Sequence, residues 1–424
     1  MLVSEDPPPA WMARYRHEGA SVVTPRSGWE REPAAWVVLD GYRFGIGEQR
    51  CLKDAGHRLA VIDDHGAAKG YAADLVVDQN LGTSAALYAD RPRRSSLLLG
   101  PTYALLRREF RQQEPRPVRD VATKAIVLLG GSPPPAVAAL VEEALESVPN
   151  LRQVRPRDDR HVALAMAEAD MAVAAAGVTT WELCAMGVPA VLVVAADNQA
   201  RVASAVAAYG AATSVGALGV ATPDRLTEAI GAVASSTEAR RSMAEAGRQL
   251  VDARGALRVA SVLRAALLSL RRATLDDARL LWEWVNDSAA RTAAFSREPI
   301  DWEHHTAWFA AKLADAGSRI YVAEDEQHRP IGQVRFDLVG AEMEVDVSVA
   351  AAQRGRGLGP ALIRAGAARA FADLGQPRII ARVRPDNVAS VRAFGDAGFR
   401  FEGEKADGTN RWLRYALDQD DEGA

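Results

Sequence analysis

The residues Gln353-Arg354-Gly355-Arg356-Gly357-Leu358-Gly359 follow an apolar run expected to be a strand, at 343–349, and precede an Ala-rich segment expected to be a helix, at 361–374. Such a turn presents several backbone N–H groups and a helix N-terminus to one anion. Its glycines allow a pyrophosphate to approach the backbone closely, and Arg354 and Arg356 add positive charge. By itself the same turn also serves as a tight strand-to-helix connection. On the strand before it, Glu342, Glu344, Asp346 and Ser348 alternate with Met343, Val345, Val347 and Val349, which puts three carboxylates on one face. By itself that face also reads as a solvated strand face.

Two further glycine turns follow apolar runs nearer the amino end. Ile126-Val127-Leu128-Leu129 leads into Gly130-Gly131-Ser132, and Ala172-Val173-Ala174-Ala175 into Gly177-Val178-Thr179-Thr180-Trp181-Glu182. In an open α/β sheet, ligands bind beyond the carboxyl ends of strands, where loops of this type donate N–H groups to phosphate. Glu182, one turn into its helix, could accept a hydrogen bond from a ribose hydroxyl. Each loop alone also reads as plain chain reversal.

The elements that must hold these turns are legible as patterns. Short apolar runs at 35–39, 58–62, 125–129, 171–175 and 190–194 alternate with helical stretches, the signature of parallel α/β units. The polar segment 112–120 holds Pro115 and Pro117 and reads as a linker between two lobes. Thr222 followed by Pro223 marks a helix start, in an Ala- and Arg-rich stretch that reaches about residue 268. From about Leu270 the order becomes a compact α+β one. Thr274 and Asp277 cap a helix through Trp282 and Trp284, and strands are expected at 319–323, 332–338 and 343–349. The predicted fold class is therefore α/β, a two-lobed doubly wound region followed by an α+β domain.

Composition bounds the function. The chain has 424 residues, 48% hydrophobic and 25% charged, enough for two or three domains, and this excludes a disordered or collagen-like chain. Lys+Arg 51 against Asp+Glu 55 gives a net charge of −4, which argues against a nucleic-acid binder. No apolar window reaches the roughly 18 residues of a membrane span, and Met1 to Asp6 lack the features of a signal peptide. A cytoplasmic protein without a membrane partner is expected. Cys51 and Cys184 lie too far apart for a metal knuckle, so no metal is expected and both thiols should be reduced and partly buried. Oligomeric state is left open.

The motif Arg354-x-x-Gly357-x-Gly359 after its strand, the run Asn387-Val388-Ala389-Ser390 to Phe394, Ala397-Gly398-Phe399 and the opening Leu270-Arg271-Arg272-Ala273-Thr274 together resemble the GNAT acyltransferase family over about 269–420. The resemblance implies acetyl-CoA as cofactor. Its pyrophosphate would lie on Arg354, Gly355, Arg356, Gly357 and Gly359, its pantetheine along Val347 and Val349, and Asn387 would complete the site. It also implies that the carboxylate face borders an acceptor cleft, with Glu344 as the group that takes the proton. The family's tyrosine, four residues after the serine, is Phe394 here, which leaves Ser390, Tyr415 or water to protonate the thiolate. His304 and His305, ahead of Trp308-Phe309, read as packing or capping residues.

The front region resembles the UDP-sugar hydrolase of pseudaminic acid synthesis, a relative of the MurG-like two-lobed glycosyltransferases. The matching stretches are Leu39-Asp40-Gly41-Tyr42, Ile62-Asp63-Asp64, Asp78-Gln79-Asn80, Gly100 to Arg107, Glu109-Phe110, Gly130-Gly131-Ser132, the Gly177 to Glu182 turn and Asn198-Gln199. The resemblance covers 1–268, with lobes 1–111 and 121–268, and the acetyltransferase-like domain takes 269–424. It implies that Tyr103, Gly130, Gly131, Gly177, Thr179, Thr180, Glu182, Asn198 and Gln199 bind a UDP-amino sugar. That family opens with a strand and a Gly-rich loop carrying a catalytic histidine. Here Met1 to Glu5 reads as the end of the second strand and His17 stands in a helical context, so either the first strand and its loop lie upstream of Met1, which is the favoured expectation, or the lobe is truncated and impaired as a hydrolase.

Taken together, the expectation is a bifunctional enzyme. One half would N-acetylate a UDP-4-amino-4,6-dideoxy sugar, and the other would release UDP from the 2,4-diacetamido-2,4,6-trideoxy product by hydrolysis. The same motifs also fit a GNAT that acetylates another amine or a protein amino terminus, with a nucleotide-sugar-binding front region, or a glycosyltransferase.

Overall fold

The computed structural model describes residues 2–3, 22–23, 35–41, 44–64, 66, 68–114, 117–131, 133–156, 161–407 and 410–420. His17 and Ser132 lie outside the described residues. The chain forms two compact units, Met1–Val76 with Ala86–Ser96, and Val77–Ala85 with Leu97–Ala424.

In the first unit the strands Trp36–Asp40 and Arg58–Ile62 pair in parallel, joined by the helix Ile46–Asp54, which buries Gln49 and Leu52. Gln49 fastens this crossover: its Nε2 donates to the Phe44 carbonyl at 3.2 Å and its Oε1 accepts from Ala72 N–H at 2.9 Å. Leu2–Val3 forms a short strand parallel to Val22–Val23. Cys51, on the crossover helix, is exposed rather than partly buried as expected.

The second unit begins with a parallel sheet ordered Thr213–Ala217, Ala190–Val194, Met171–Ala175, Lys124–Leu128, Arg152–Val154. The chain leaves Lys124–Leu128 toward one edge and returns on the other side, so the switch in winding falls between Lys124–Leu128 and Met171–Ala175. Met171–Ala175 and Ala190–Val194 are buried throughout because both faces are covered. Ala172, Ala174, Leu192 and Val194 pack with Trp181, while Met171, Val173, Val191 and Val193 pack with Leu226 and Ile230 on the opposite face. Cys184 lies in the first of these clusters, and burial pushes its thiol up to about 12.

Ala104, Leu106 and Phe110, ahead of the polar segment 112–120, join the Trp181 cluster. That segment ends pinned: Arg119 donates to Asp170 at 2.9 Å, and the buried Arg240 donates to the Arg119 and Asp120 carbonyls at 2.9 and 3.1 Å. The stretch after Ala221 is three helices, Pro223–Ser235, Thr237–Leu250 and Gly255–Ala265. Thr222 caps the first, accepting from Arg225 N–H at 3.3 Å, and Ser236 caps the second. The third, hereafter the junction helix, opens on Gly255, where a Cβ would come within 2.4 Å of the Ala104 backbone.

From Ser269 the chain builds a seven-stranded sheet ordered Ser269–Arg272, Ser318–Glu324, Pro330–Val339, Glu342–Val349, Arg378–Val383, Asn410–Asp418, Arg400–Asp407. Glu342–Val349 and Arg378–Val383 run parallel, joined by the crossover helix Leu358–Leu374, and the other neighbours are antiparallel. Thr274 and Asp277 form the expected capping box ahead of the helix Ala278–Val285. Among the described residues no helix is long and apolar enough to cross a membrane.

Burial alone would raise the pKa of Asp277. The Arg271 guanidinium, bonded to both oxygens at 2.8 Å, and the Thr274 N–H outweigh it and hold the carboxyl below the usual range. A depressed carboxylate stabilises the fold above its unfolded pKa and loses that contribution as pH falls through its folded one. Asp277→Ala is expected to cost about 1–2 kcal/mol of stability near neutral pH, read by thermal denaturation. The gap from wild type should shrink below about pH 4.

Candidate functional site

Pairing between Glu342–Val349 and Arg378–Val383 stops at Met343↔Ile379 and Glu344↔Ile380, and beyond it the two strands part. A cleft of about 530 Å³ opens where they separate, lined by Val345 to Val349 on one side and Arg382 to Arg384 on the other. Its floor is the turn at 353–360 and its far wall the start of the helix Val388–Asp396. Backbone groups on the cleft side of Val345 to Val349 are therefore left for a ligand to pair with.

Gly355 at φ 74° and Gly357 at φ 71° have left-handed backbones that a side chain would strain, and no atom occupies the space above Gly355. The turn thereby lays its N–H groups around the N-terminus of the crossover helix, a shape and polarity that suit a diphosphate. The arginines beside it are engaged elsewhere. Arg354 ion-pairs with Asp287 and donates through Nε to the Val349 carbonyl at 3.1 Å, and Arg356 donates to Gln353 at 2.6 Å without lining the cleft. The Arg354 hydrogen bond holds the Asp287 carboxyl below its ordinary range, and Asp287 also caps the helix Ser288–Ala293. Arg354 thus fastens the turn.

The other expected cofactor residues, Val347, Val349, Gly359 and Asn387, line the cleft. Asn387 caps its helix by accepting from Ser390 N–H at 3.1 Å. Of the groups considered for proton transfer, Ser390 lines the cleft. Tyr415 is buried behind Phe394, the rings stacked at 6.4 Å, and its hydroxyl does not reach the lining. Glu344 lies at the branch point of the strands, bonded to Arg382 at 2.7 Å, and lines no part of the opening. Two residues along the same face, Asp346 does.

A second cavity of about 350 Å³ adjoins the first and shares Val285, Arg291, Gln333, Asp346 and Ser348 with it. It adds Trp284, Trp308, Arg335, His304 and His305. Asp346 is half exposed there, accepts from Gln333 Nε2 at 3.2 Å and lies 4.0 Å from Arg335, whose guanidinium stacks 5.0 Å over Trp308. His305 is buried between Trp302 and Phe309 with Nε2 3.0 Å from the Ala278 carbonyl. Burial lowers its pKa and keeps it neutral. His304 is exposed, and its backbone N–H donates to Asp301, the cap of its helix, at 2.8 Å. The strand's alternation put Asp346 and Glu344 on one face. Nothing in the pattern shows where the neighbouring strand leaves, and that decides between them.

At the front, Gly130-Gly131 follows Lys124–Leu128, the Gly177 turn follows Met171–Ala175, and Asn198-Gln199 follows Ala190–Val194, so all three loops lie on one carboxyl edge at the winding switch. Gly130 and Gly131 have open space where side chains would stand. Gln199 closes its own loop by accepting from Ala195 N–H at 2.9 Å, and its Nε2 lies 3.7 Å from the Cβ position of Gly177. Thr179 opens the helix Thr179–Met186, and the Thr180 hydroxyl is buried without a hydrogen-bond partner among the described residues. Glu182 pairs with Arg107 at 3.5 Å, so its carboxylate already has a cation. Asn198 is exposed, and Tyr103 is half-buried in the turn Pro101–Tyr103. Among the described residues no group of His, Cys, Asp and Glu is placed to hold a metal ion.

Comparison with known proteins finds matches to two separate stretches of the chain. Residues 268–400 match the acetyltransferase (GNAT) domain model, and residues 148–256 match the C-terminal domain of glycosyltransferase family 28. The chain carries a GNAT acetyltransferase domain and a region like that glycosyltransferase domain. The spore coat polysaccharide biosynthesis protein SpsG of Bacillus subtilis (strain 168) is 32% identical over 148 residues, 35% of this chain and 42% of that protein. The chain thus spans under half the length of this curated relative. A spermidine N-acetyltransferase from Vibrio cholerae, solved with CoA and spermine, is 22% identical over 37% of this chain and 98% of its own, with a TM-score of 0.34. An aminoglycoside acetyltransferase solved with coenzyme A is also 22% identical, over 36% and 96%, with a TM-score of 0.33.

If Asp287 and Arg354 hold the turn, Asp287→Ala should speed amide hydrogen exchange at 354–359 while leaving exchange in the strand Ser318–Glu324 unchanged. Mass-spectrometric exchange on the full chain measures both. Equal protection of the turn in the two proteins would sink the assignment.

Proposed function

We propose that the carboxy-terminal domain transfers an acetyl group from acetyl-CoA to the amine of a UDP-4-amino-4,6-dideoxy sugar, and that the front region binds the nucleotide-sugar and releases UDP from the acetylated product. The observation that carries the first half is the meeting of the two cavities at Asp346 and Ser348. A thioester lying along Val347 and Val349, its diphosphate on the glycine turn, would reach an amine entering from the tryptophan-lined side.

The amine nitrogen attacks the thioester carbonyl, the C–N bond forms, the C–S bond breaks, and the amine proton passes to Asp346 directly or through water. Ser390 or water protonates the departing thiolate. In the front region, water adds at the sugar's anomeric carbon as the bond to UDP breaks. The glycine turns at the winding switch supply N–H donors for the diphosphate.

The charge of the acceptor cavity favours an anionic amino sugar over a polyamine or aminoglycoside. Among its described lining residues Arg291 and Arg335 stand against the carboxylate of Asp346, and Trp284 and Trp308 offer flat apolar faces. A polycation would meet arginines there, whereas a phosphorylated sugar meets counter-charge and an aromatic platform.

Incubating the protein with acetyl-CoA and the UDP-4-amino sugar should yield the N-acetylated nucleotide-sugar followed by free UDP. Acetylation of spermidine or of a peptide amino terminus with the sugar untouched would overturn the reading. UDP release that requires an acceptor sugar would make the front region a glycosyltransferase. Asp346→Asn is expected to lower kcat by about two orders of magnitude at neutral pH, with the KM for acetyl-CoA little changed. Glu344→Gln should have a small effect, and a reversed outcome for the two variants would return the proton to Glu344.

A further inference from the structure

The junction helix Gly255–Ala265 belongs to the chain ahead of the acetyltransferase match, yet it is clamped against that domain. Arg254, just before the helix, donates through Nε to the buried Asp396 at 2.7 Å and through Nη2 at 2.5 Å. Ser261 accepts from Arg364 Nε at 2.9 Å, and Arg364 also donates to the Asp396 carbonyl at 3.1 Å. These contacts set the rotation and depth of the helix on the crossover helix, and they carry its last turn to the glycine turn at the cleft.

Arg264 lies on that last turn. A Cβ on Gly357 would stand 2.7 Å from its Nη1 and 3.7 Å from its Cζ, so the guanidinium rests beside the residue that begins the crossover helix. The side chain is exposed, and among the described residues no hydrogen bond or ion pair engages it. Arg354 and Arg356, the arginines of the turn itself, are bound to Asp287, Val349 and Gln353. Arg264 thus brings to the turn a guanidinium from outside the domain that forms it.

We infer that Arg264 donates to a phosphate of acetyl-CoA held on the 354–359 turn, so that the front region's last helix completes the cofactor site. The inference rests on the acetyl-CoA reading proposed above. A fork of N–H donors beside a helix N-terminus gives a phosphate a charge-assisted partner.

Isothermal titration of the full chain with CoA, with dephospho-CoA and with pantetheine tests this without reference to turnover. Arg264→Ala should weaken CoA binding by roughly five- to fiftyfold, reduce its salt dependence, and leave pantetheine binding and the thermal midpoint unchanged. Arg264→Lys should recover part of the loss. A loss shared by CoA and dephospho-CoA assigns the contact to the diphosphate, and a loss confined to CoA assigns it to the ribose phosphate. CoA binding as tight in Arg264→Ala as in wild type overturns the inference, while failure of the wild type to bind CoA would instead overturn the reading of the turn.

Discussion

The parting of Glu342–Val349 from Arg378–Val383 after a two-residue pairing is the constraint on which the rest of the acetyltransferase domain depends. A sheet gives up ladder hydrogen bonds there, and each buried N–H or C=O left over needs a partner. The strand stays straight because its other edge remains paired with Pro330–Val339 as far as Gly332↔Val349. Gly332 permits that, since a Cβ there would come within 2.6 Å of the Ser348 carbonyl. The Arg382–Glu344 bond sits where pairing ends and ties the two diverging strands together. Glu344 is in this geometry a closure at the apex of the opening, and the next residue on its face, Asp346, is the first to stand inside it.

The crossover helix that follows from the parallel pair serves two requirements at once. It buries Leu362, Ile363 and Ala367 against the sheet, and its N-terminus faces the opening. Because the turn ahead of it has two left-handed glycines, its shape depends on what holds it from outside, namely Arg354 to Asp287 on one side and the junction helix on the other. The Asp396–Arg254 pair matters here more for orientation than for net stability. Removing both charges from water costs about as much as their attraction returns, but a wrong rotation of the junction helix would leave a buried carboxylate unpaired.

Elements were legible in the sequence wherever a local rule was strong. The strands Met171–Ala175 and Ala190–Val194 are continuous apolar runs covered on both sides, and their ends, like those of Arg58–Ile62, coincide with the expected ones. Thr222-Pro223 and Thr274 with Asp277 mark helix starts because side-chain capping is a contact within three residues. What sequence reasoning missed is non-local. The helical stretch expected to run to about residue 268 is three helices, broken at the Ser236 cap and again ahead of Gly255, whose backbone passes against Ala104, and Phe110 buries beside Trp181. In the candidate site the glycine turn and its neighbours were visible as a motif. The choice between Glu344 and Asp346, the engagement of Arg354 by Asp287, and the reach of Arg264 are set by strand divergence and helix docking, which leave no periodic trace.

Phe394 in place of a hydroxyl bears on which half of the transfer needs help. Its ring is buried edge-on against Phe399 at 5.1 Å and screens Tyr415 from the cleft, so the hydroxyls among the described lining residues are those of Ser348 and Ser390. A thiol titrates near pH 8.5 and an alkylamine nearer 10, so at neutral pH the thiolate is a tolerable leaving group while the amine arrives protonated and unreactive. In the proposed transfer the demanding step is then removal of the amine proton, the step proposed for Asp346. Gln333 donates to that carboxylate at 3.2 Å, and Arg335 lies 4.0 Å from it. An enzyme arranged in this way can dispense with a dedicated acid at Phe394 because the cleft's polar wall falls on the side where the barrier lies.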